Sequence, residues 1–328
     1  MNILYITNTK TTWTNNDYEI LAKHFNVSNN FIGSFESILK SLNPFFILKH
    51  DVVIFWFASL SFSPILFLSW ILRKKIIIIA GGYDVVKVSD TKYGAFCDSW
   101  PKRMIRKLMF IAADKVVSIS FSNQREALEN ANVPISRSVM IYHGFVDPKI
   151  SVQTFEERKK QVVTVGIIND ETYIRKGYKY FFELAQIMPD WDFIHIGKVT
   201  EDFQHMVDFH KCKNLSMMGF LPTKRFNEVL NESKFYLQLS NHEGFGCSIV
   251  DAALMGCYPI VFDRYAMREV VQGCGEIIEF PNIELVQCKI RELENANLNV
   301  EDIRLHYLKK FPNESREERL VNVISSLF

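Results

Sequence analysis

Two acidic side chains flank a glycine-rich turn in the segment NHEGFGCSIVDAALMGCYPIVF, which covers residues 241–262. Glu243 stands directly before a Gly-Phe-Gly turn, and Asp251 follows eight residues later. Glycines allow the backbone to approach a ligand closely, and the amides at the start of a following helix favour an anion. At a rise of 1.5 Å per residue the two carboxylates are at most ~12 Å apart. This spacing suits hydrogen bonds to hydroxyl groups at both ends of a nucleotide-sugar whose diphosphate lies at the helix start.

A pair of basic residues occurs in a second glycine-containing segment, VGIINDETYIRKGYKYFFELA. Arg175 and Lys176 precede Gly177 and a stretch with helical periodicity. A lysine at a helix N-terminus is unfavourable towards the helix dipole, which favours a role facing an anion. The alternative interpretation is a solvated basic pair at the start of a helix.

Strand-length apolar runs alternate with helical patterns along most of the chain. This alternation is typical of parallel α/β sheets and predicts two doubly wound domains in tandem. The predicted strands are 2–7, 52–58, 76–80, 115–120 and 139–142 in the first half, and 162–166, 192–197, 215–219, 235–240, 258–262 and 276–280 in the second. The polar stretch 147–160 lacks apolar periodicity and is interpreted as the linker.

Ligands of open parallel sheets bind beyond the carboxyl ends of the strands, so the loops that follow the strands are the places to search. In the first half, Gly81, Gly82 and Asp84 follow the strand KKIIIIA, and we expect Asp84 to face an acceptor. His143 lies in the segment IYHGFVDP and is a candidate for binding or orienting phosphate. An ordinary turn with a capping aspartate and a structural histidine are the alternatives.

The segment HEGFGCSIVDAALMGCYPIVF resembles the E-x7-E segment of retaining glycosyltransferases of the family 4 type, which have two facing Rossmann-like domains (the GT-B fold). The usual pattern is EGFG, four residues, EA, and then G-x-P-V. The matching positions are Glu243, Gly244, Phe245, Gly246, Ala252, Gly256 and Pro259. The second acid of this sequence is Asp251 instead of glutamate, which keeps the carboxylate on a shorter side chain.

The resemblance extends to the basic pair and to the loop MGFLP. The family has a Gly-Arg pair and, several residues on, a Lys-Gly element, and both basic side chains hold the donor diphosphate. Lys176 fits the second element, with Arg175 beside it, whereas Ile167 stands where the first arginine would be. Gly219 and Leu221 are expected near the nucleotide base by the same resemblance.

The activity that this resemblance implies is retaining transfer of a sugar from a nucleotide-diphosphate sugar to a glycan, lipid-linked or other hydroxyl acceptor. Lys176 and Glu243 would be catalytic, with Glu243 on the donor sugar, and Asp251 would bind the ribose. Gly244, Phe245 and Gly246 would line the donor site. No metal or other cofactor is expected. A nucleotide-sugar epimerase on the same fold and a non-catalytic nucleotide-sugar or glycan-binding protein are the alternatives.

The implied domain organisation has three parts: an acceptor-binding Rossmann-like domain over 1–155, a donor-binding domain over 160–312, and a C-terminal helix over 313–328 that crosses back to the first domain. The absence of glycine after the first strand argues against a dinucleotide oxidoreductase.

Cysteine usage indicates a protein of a reducing compartment, which we expect to be the cytoplasm, and the charge distribution bears on its partners. Residues 1–150 carry 17 Lys and Arg against 11 Asp and Glu, and the remainder carries 21 against 26. A basic half suggests an anionic contact, but the excess is too small for a nucleic-acid partner. The six cysteines form no C-x-x-C pair. The N-terminus has the pattern of a first strand, not of a signal peptide.

Two segments raise the question of a membrane. The uncharged run 52–72 is long enough to span a bilayer, but Ser63-Pro64 divides it into a predicted strand and helix. The helical stretch 99–115 has an apolar stripe of Ile105, Leu108, Met109 and Ala112, with Lys102, Arg103, Arg106 and Lys107 lying off it. Such a helix can rest on an anionic membrane surface. It can equally pack its stripe on the core and leave the basic face in solvent.

Overall fold

The chain forms two compact units, seen in a computed structural model that describes residues 1–204 and 212–328. The first unit consists of Met1–Gly144 together with Asn313–Phe328, and the second unit consists of Phe145–Pro312. Each unit contains one six-stranded sheet whose strands are all parallel.

In the first unit the strands lie in the order β2-β1-β3-β4-β5-β6. The strands are β1 (Asn2–Thr7), β2 (Asn26–Phe31), β3 (Val52–Trp56), β4 (Lys75–Ala80), β5 (Lys115–Ser118) and β6 (Ser138–Met140). The helices are α1 (Thr12–His24), α2 (Phe35–Ser41), α3 (Pro44–Leu48), α4 (Ser63–Ile71), α5 (Trp100–Ala112) and α6 (Phe121–Ala131). The central strands β3 and β4 are buried runs rich in β-branched residues, as expected for strands that are covered on both faces.

Strand β2 was missing from the sequence prediction. Its sequence, NVSNNF, is polar and has no apolar run. The strand lies at the edge of the sheet, where it pairs with β1 alone and is largely exposed. An edge strand is held by backbone hydrogen bonds more than by burial, so its sequence carries little signal.

In the second unit the strands lie in the order β12-β11-β10-β7-β8-β9. The strands are β7 (Lys159–Val165), β8 (Asp192–Ile196), β9 (Leu215–Met217), β10 (Ser233–Gln238), β11 (Tyr258–Phe262) and β12 (Glu276–Ile278). The helices are α7 (Asp170–Arg175), α8 (Tyr178–Ile187), α9 (Glu201–Gln204), α10 (Thr223–Glu232), α11 (Cys247–Leu254), α12 (Met267–Val271), α13 (Ile283–Leu293) and α14 (Val300–Lys310). This strand order is the doubly wound order 3-2-1-4-5-6 of Rossmann-type sheets.

The last helix, α15 (Asn313–Ser325), belongs to the first unit although it follows the second unit in the chain. Arg316 of this helix is buried and forms an ion pair with the buried Asp17 of α1. The guanidinium also donates to the carbonyls of Ile141 and Tyr142 at 3.1 and 2.7 Å. These contacts attach the end of the chain to the first unit.

The boundary between the units falls earlier than the sequence analysis placed it. The predicted first domain ended at residue 155, whereas the structure assigns Phe145 and the residues after it to the second unit. Phe155 is fully buried in the core of the second unit, and the Arg158 guanidinium donates to the carbonyls of Ser233 and Met255 at 2.9 and 2.7 Å. Phe155 and Arg158 therefore anchor the segment 147–160 in the second unit, although most of its polar side chains are exposed.

The uncharged run over 52–72 forms a buried strand and a separate helix. Strand β3 is fully buried, and α4 begins at Ser63, one residue earlier than the predicted cap implied. Across residues 1–204 and 212–328, no helix combines the length and the apolar character needed to cross a membrane.

Helix α5 is oriented differently from the predicted stripe. Met109 and Phe110 are fully buried, and Arg106 is buried with its guanidinium on Asp98 and on the Ala95 carbonyl. Leu108, which was expected in the core stripe, is 48% exposed. Helical periodicity identified an apolar stripe, but the side of the helix that faces the core carries Met109, Phe110 and the paired Arg106.

Candidate active site

The two chemistry-bearing segments of the second unit meet at the point where the strand order reverses. Strands β7 and β10 are neighbours, with Phe235 opposite Val162 and Tyr236 opposite Val163. From this central pair the chain winds outward in one direction through β8 and in the other through β11. The loops after β7 and β10 therefore diverge, and such a switch point is the usual ligand site of an open α/β sheet.

Lys176 lies in the connection between α7 and α8, and the backbone conformation of the following glycine determines its position. Gly177 adopts a left-handed conformation with φ of 69°, and a Cβ at this position would lie 1.8 Å from the Leu239 carbonyl oxygen. The chain therefore passes directly over the end of β10. The Lys176 amine lies beside Gly166 at the end of β7, because a Cβ on Gly166 would be 3.2 Å from that amine.

The Glu243 carboxylate is held in a polar network that begins inside β10. Its Oε1 atom accepts hydrogen bonds from Gln238 Nε2 and Ser240 Oγ, both at 3.2 Å, and lies 3.4 Å from the Lys176 amine. Gln238 Nε2 also donates to Ser240 Oγ at 2.6 Å, and the Tyr236 hydroxyl donates to Gln238 Oε1 at 2.8 Å. Glu243 is therefore held in a fixed position, and the Lys176 amine lies near the same carboxylate oxygen that accepts both hydrogen bonds.

The charges around Glu243 keep it ionised. Burial alone would raise the pKa of the carboxyl, but the positive charges of Lys176 and Arg175 outweigh it and lower that pKa below its ordinary value. Beneath the site, burial lowers the pKa of His195 to about 4, with a further contribution from the Lys176 charge. His195 is therefore neutral near pH 7, and its Nε2 atom donates to the Gly166 carbonyl at 2.7 Å.

Arg175, the second predicted cation, is the last residue of α7. Its side chain is only 10% exposed, and its Nε atom donates to the Glu171 carboxylate one turn earlier. Helix α7 begins with a capping box between Asn169 and Thr172. This helix lies between Ile167 and Lys176 and was not among the elements predicted from the sequence. Ile167, which stands in place of the family arginine, is 53% exposed.

Asp251 lies on α11, just over one turn beyond its start, and is exposed to solvent. Gly246 occupies the N-cap position with φ of 95° and has no side chain with which to cap the helix. The start of α11 therefore offers backbone amides and the positive end of a helix dipole directly after Glu243.

Phe245 differs from its predicted place in the donor site. Its ring is buried, stacked on Phe145 at 6.2 Å and packed edge-on against Phe311 at 5.1 Å. The ring therefore anchors the Gly-Phe-Gly turn in the protein interior, and its side chain does not point out of the turn. Gly219 has φ of 66° with open space around its Cβ position, and Leu221 nearby is partly exposed.

The candidate residues of the first unit support its loops. The buried Asp84 carboxylate accepts from the amides of Ala58, Gly81 and Gly82 at 2.9, 3.1 and 3.2 Å. Burial raises the pKa of Asp84 to about 6 despite these bonds. Gly81 is required because a Cβ there would lie 1.9 Å from the ring of Phe57. Asp84 thus joins the loops after β3 and β4, which differs from the predicted exposure to an acceptor.

His143 is buried and stacked on Trp56, with ring centroids 6.0 Å apart and planes 6° apart. Burial and, to a smaller extent, the charge of Arg316 hold the pKa of His143 well below its ordinary value. The imidazole is therefore neutral near pH 7, and a phosphate would find a hydrogen-bonding ring there but no positive charge.

Sequence reasoning missed the residues that hold Glu243. Tyr236, Gln238 and Ser240 recur at every second position, which places their side chains on one face of an extended segment. Polar residues in such alternation at the carboxyl end of a buried strand were the available signal. Glu171, the partner of Arg175, was also missed.

Within the part of the chain that the structure describes, no three or more His, Cys, Asp or Glu side chains are grouped so that they could hold a metal ion.

The doubly wound sheets and the acid-lysine pair at a switch point define a class of nucleotide-binding α/β proteins, and comparison with known proteins gives the family. A family model described as glycosyl transferases group 1 matches residues 146–309, which is half of the chain. The chain belongs to this family. The match covers the whole of the candidate site.

Solved structures give the fold. HepE of Anabaena, in a crystal structure with UDP, has a TM-score of 0.76 and 13% identity, and the comparison covers 99% of this chain and 100% of HepE. Sucrose-phosphate synthase of Thermosynechococcus elongatus has a TM-score of 0.77 and 12% identity, covering 100% of this chain and 99% of the synthase. Identities this low are evidence for the fold alone. The GT-B fold predicted from the sequence is confirmed.

A curated relative is ORF330 of Acidianus filamentous virus 2, which is described as a candidate glycosyltransferase. It is 24% identical over 143 residues, covering 41% of this chain. The match spans 42% of the length of the viral protein.

Proposed function

We propose that this protein is a retaining glycosyltransferase of the family 4 type, which transfers a sugar from a nucleotide-diphosphate sugar to a hydroxyl group of a glycan or lipid-linked acceptor. The observation that carries the proposal is the pairing of Glu243 with Lys176, 3.4 Å apart, at the switch point between β7 and β10. Membership of the glycosyl transferases group 1 supports it.

The donor diphosphate would lie across the start of α11. Lys176 and Arg175 supply positive charge from the loop after β7, and the first-turn amides of α11 supply hydrogen-bond donors. Glu243 would accept a hydrogen bond from the donor sugar, and the exposed Asp251 would reach the ribose. HepE was crystallised with UDP and with UDP and glucose, so UDP-sugars are the first donors to test.

The proposed reaction forms one bond and breaks one bond on the same face of the sugar. The acceptor oxygen bonds to the anomeric carbon while the bond from that carbon to the diphosphate oxygen breaks, and its electron pair leaves with the diphosphate. The acceptor proton passes to a phosphate oxygen. Stabilisation of the charge that develops on the diphosphate is the largest contribution such a site can make, and in this proposal Lys176 supplies it.

We further propose that the two cations and the helix amides neutralise the diphosphate without a metal ion. The first unit would bind the acceptor. We place the protein in the cytoplasm, in peripheral contact with an anionic membrane through the first unit.

The test compares Glu243→Ala, Glu243→Gln and Lys176→Ala with the unaltered protein in a panel of UDP-, GDP- and ADP-sugars. Both Glu243 variants should lose transfer and donor hydrolysis while still binding the nucleotide diphosphate. Lys176→Ala should lower kcat by roughly 10²–10³-fold and weaken binding of the nucleotide diphosphate in calorimetry. The matched control is Lys309→Ala on the exposed face of α14, which should behave like the unaltered protein.

Three outcomes would contradict the proposal. Normal turnover in the Glu243 variants and in Lys176→Ala would contradict the assignment of these residues to the active site. Formation of an epimer from the donor without any acceptor would indicate an epimerase. Tight donor binding with neither transfer nor slow hydrolysis would indicate a binding protein.

A further inference from the structure

A cavity of about 700 Å³ opens between the C-terminal ends of α4 and α5 in the first unit, and none of the proposed catalytic residues lines it. Its lining combines an apolar part with a cationic part. The lining residues are Phe67, Trp70, Arg73, Lys74, Lys75, Leu108, Ile111, Ala112, Asp114 and Arg137.

The apolar part is unusually open to solvent. Trp70 is 59% exposed, Leu108 is 48% exposed and Ile111 is 49% exposed. Single exposed apolar residues need no explanation, but several such side chains around one cavity indicate a surface that is covered in the working state of the protein.

The cationic part contributes four positive charges against one acid. Arg73 and Lys74 follow the end of α4, Lys75 begins β4, and Arg137 also lines the cavity. Asp114 is the one acid among the lining residues, and its carboxylate lies 3.7 Å from the Lys75 amine.

Most hydrogen-bonding capacity of these cations remains available for an anion. Lys74 donates once, to the Leu48 carbonyl at 2.9 Å, out of three N–H bonds. Arg137 uses one terminal nitrogen on the carbonyls of Ile111 and Ala113 at 2.7 and 3.1 Å. Both contacts orient the cations at the cavity and leave donors for a phosphate.

We propose that this cavity binds an anionic lipid of a bilayer, with the acyl chain against Trp70, Leu108 and Ile111 and the phosphate on Arg73, Lys74 and Arg137. A free phosphate would leave the apolar walls exposed, whereas an amphiphile with one negative charge satisfies both parts. The exposed tryptophan beside the cations is the arrangement that proteins use at the boundary between lipid tails and head groups. The inference specifies the membrane contact proposed above and does not depend on the transfer reaction.

The experiment measures co-sedimentation of the full chain with phosphatidylcholine vesicles that contain or lack phosphatidylglycerol. Binding should require phosphatidylglycerol and should weaken as salt is added. Brominated acyl chains should quench the fluorescence of Trp70, identified by its loss in Trp70→Phe. The quenching measurement distinguishes insertion of the apolar walls into the bilayer from electrostatic adsorption, which would leave those walls in water.

Two pairs of variants separate the two parts of the site. Arg73→Gln with Lys74→Gln should reduce vesicle affinity about 25-fold, at about fivefold for each cation removed. Leu108→Ser should reduce it about tenfold and abolish the quenching. The matched controls, Lys309→Gln and the 45% exposed Leu305→Ser on α14, should bind vesicles normally.

UDP affinity is measured for every variant, so that loss of the vesicle site is distinguished from loss of folding or of the donor site. Vesicle binding that is lost in the cavity variants with unchanged UDP affinity supports the inference. Absence of binding to phosphatidylglycerol vesicles, or equal binding by cavity and control variants, overturns it. A dimer in lipid-free solution that Leu108→Ser dissociates would also overturn it, in favour of a second copy as the occupant.

Discussion

At the scale of single residues, the candidate site depends on the difference between two buried ionisable groups. Glu243 is kept charged because Lys176 and Arg175 outweigh the cost of burial, and its carboxylate oxygen accepts two further hydrogen bonds. His195, below Gly166, has no acid to compensate its burial and stays neutral. A charged imidazole there would repel Lys176, so neutrality of His195 preserves the position of the lysine.

The state of His195 gives a prediction on pH. The pKa of His195 is about 4 in the folded chain, whereas an unperturbed histidine has a pKa of 6.5. Between pH 4 and pH 6.5 His195 is therefore protonated in the unfolded chain and neutral in the folded chain. The contribution of His195 to the free energy of unfolding is therefore fully present above about pH 6.5 and is lost as the pH falls towards 4.

The measurement is an NMR titration of the imidazole carbon-bound protons, with His195→Phe used for assignment. The His195 resonances should not shift between pH 7 and pH 5. A midpoint near the ordinary value for histidine would contradict the assigned environment. The variant should also lose part of the pH dependence of unfolding, by at most about 3 kcal/mol over this interval.

At the scale of elements, the site depends on a close crossing of backbones between the α7-α8 connection and the end of β10. Gly177 makes the crossing possible, since its Cβ position is occupied by the Leu239 carbonyl. Gly219 has nearly the same backbone conformation, with φ of 66° against 69°, but has no atom within 4 Å of its Cβ position. Comparison of the two glycines therefore distinguishes the cost of backbone strain, which both share, from the cost of a steric clash, which only Gly177 has.

Alanine substitution at these two glycines is the corresponding prediction. Gly219→Ala should cost about 1 kcal/mol, the strain of a left-handed conformation alone. Gly177→Ala should cost more than about 3 kcal/mol and displace Lys176, because the backbones must separate. Chemical unfolding and UDP affinity measure both effects. Equal costs at the two positions would show that the crossing is looser than described.

At the scale of the whole molecule, the first unit is built from two separate parts of the chain. The first unit is completed by α15, which comes after the entire second unit. Arg316 and Asp17 are both buried, with Nη2 and Oδ2 2.6 Å apart, and Asp17 also accepts from the Trp56 indole at 2.9 Å. The stability of the first unit therefore depends on residues at the far end of the sequence.

Removal of Arg316 tests this dependence. Arg316→Ala leaves Asp17 as an uncompensated buried charge and should destabilise the first unit by about 3–5 kcal/mol. The matched control on the same helix is Glu317→Ala, which removes an ion pair with Lys23 that is largely in solvent and should cost at most about 1 kcal/mol.

Hydrogen exchange resolved by residue measures the two variants. Protection should fall in β1 and β3 of the first unit in Arg316→Ala while β7 and β10 keep theirs. Similar losses in both units, or in both variants, would contradict the assignment of α15 to the first unit.

The sequence by itself determined the repeated α/β pattern and the positions of most buried strands. Runs such as KIIIIA have no stable alternative to a buried strand, and the limits of β1 and β11 were predicted to the residue. Glu243, Lys176 and the glycines around them were identified because their spacing along the chain is local. The edge strand β2 and the short helix α7 were missed, since neither carries an apolar run.

Only the tertiary structure decided which distant groups share a partner. Lys176 meets the Glu243 carboxylate, Asp84 joins two loops of the first unit, and Arg316 pairs with Asp17, because the fold brings segments together that are far apart in sequence. The tertiary packing also decided that α5 buries Met109, Phe110 and Arg106 and leaves Leu108 exposed. Periodicity specifies that a helix has an apolar side, but the partners available on the sheet determine which side is buried.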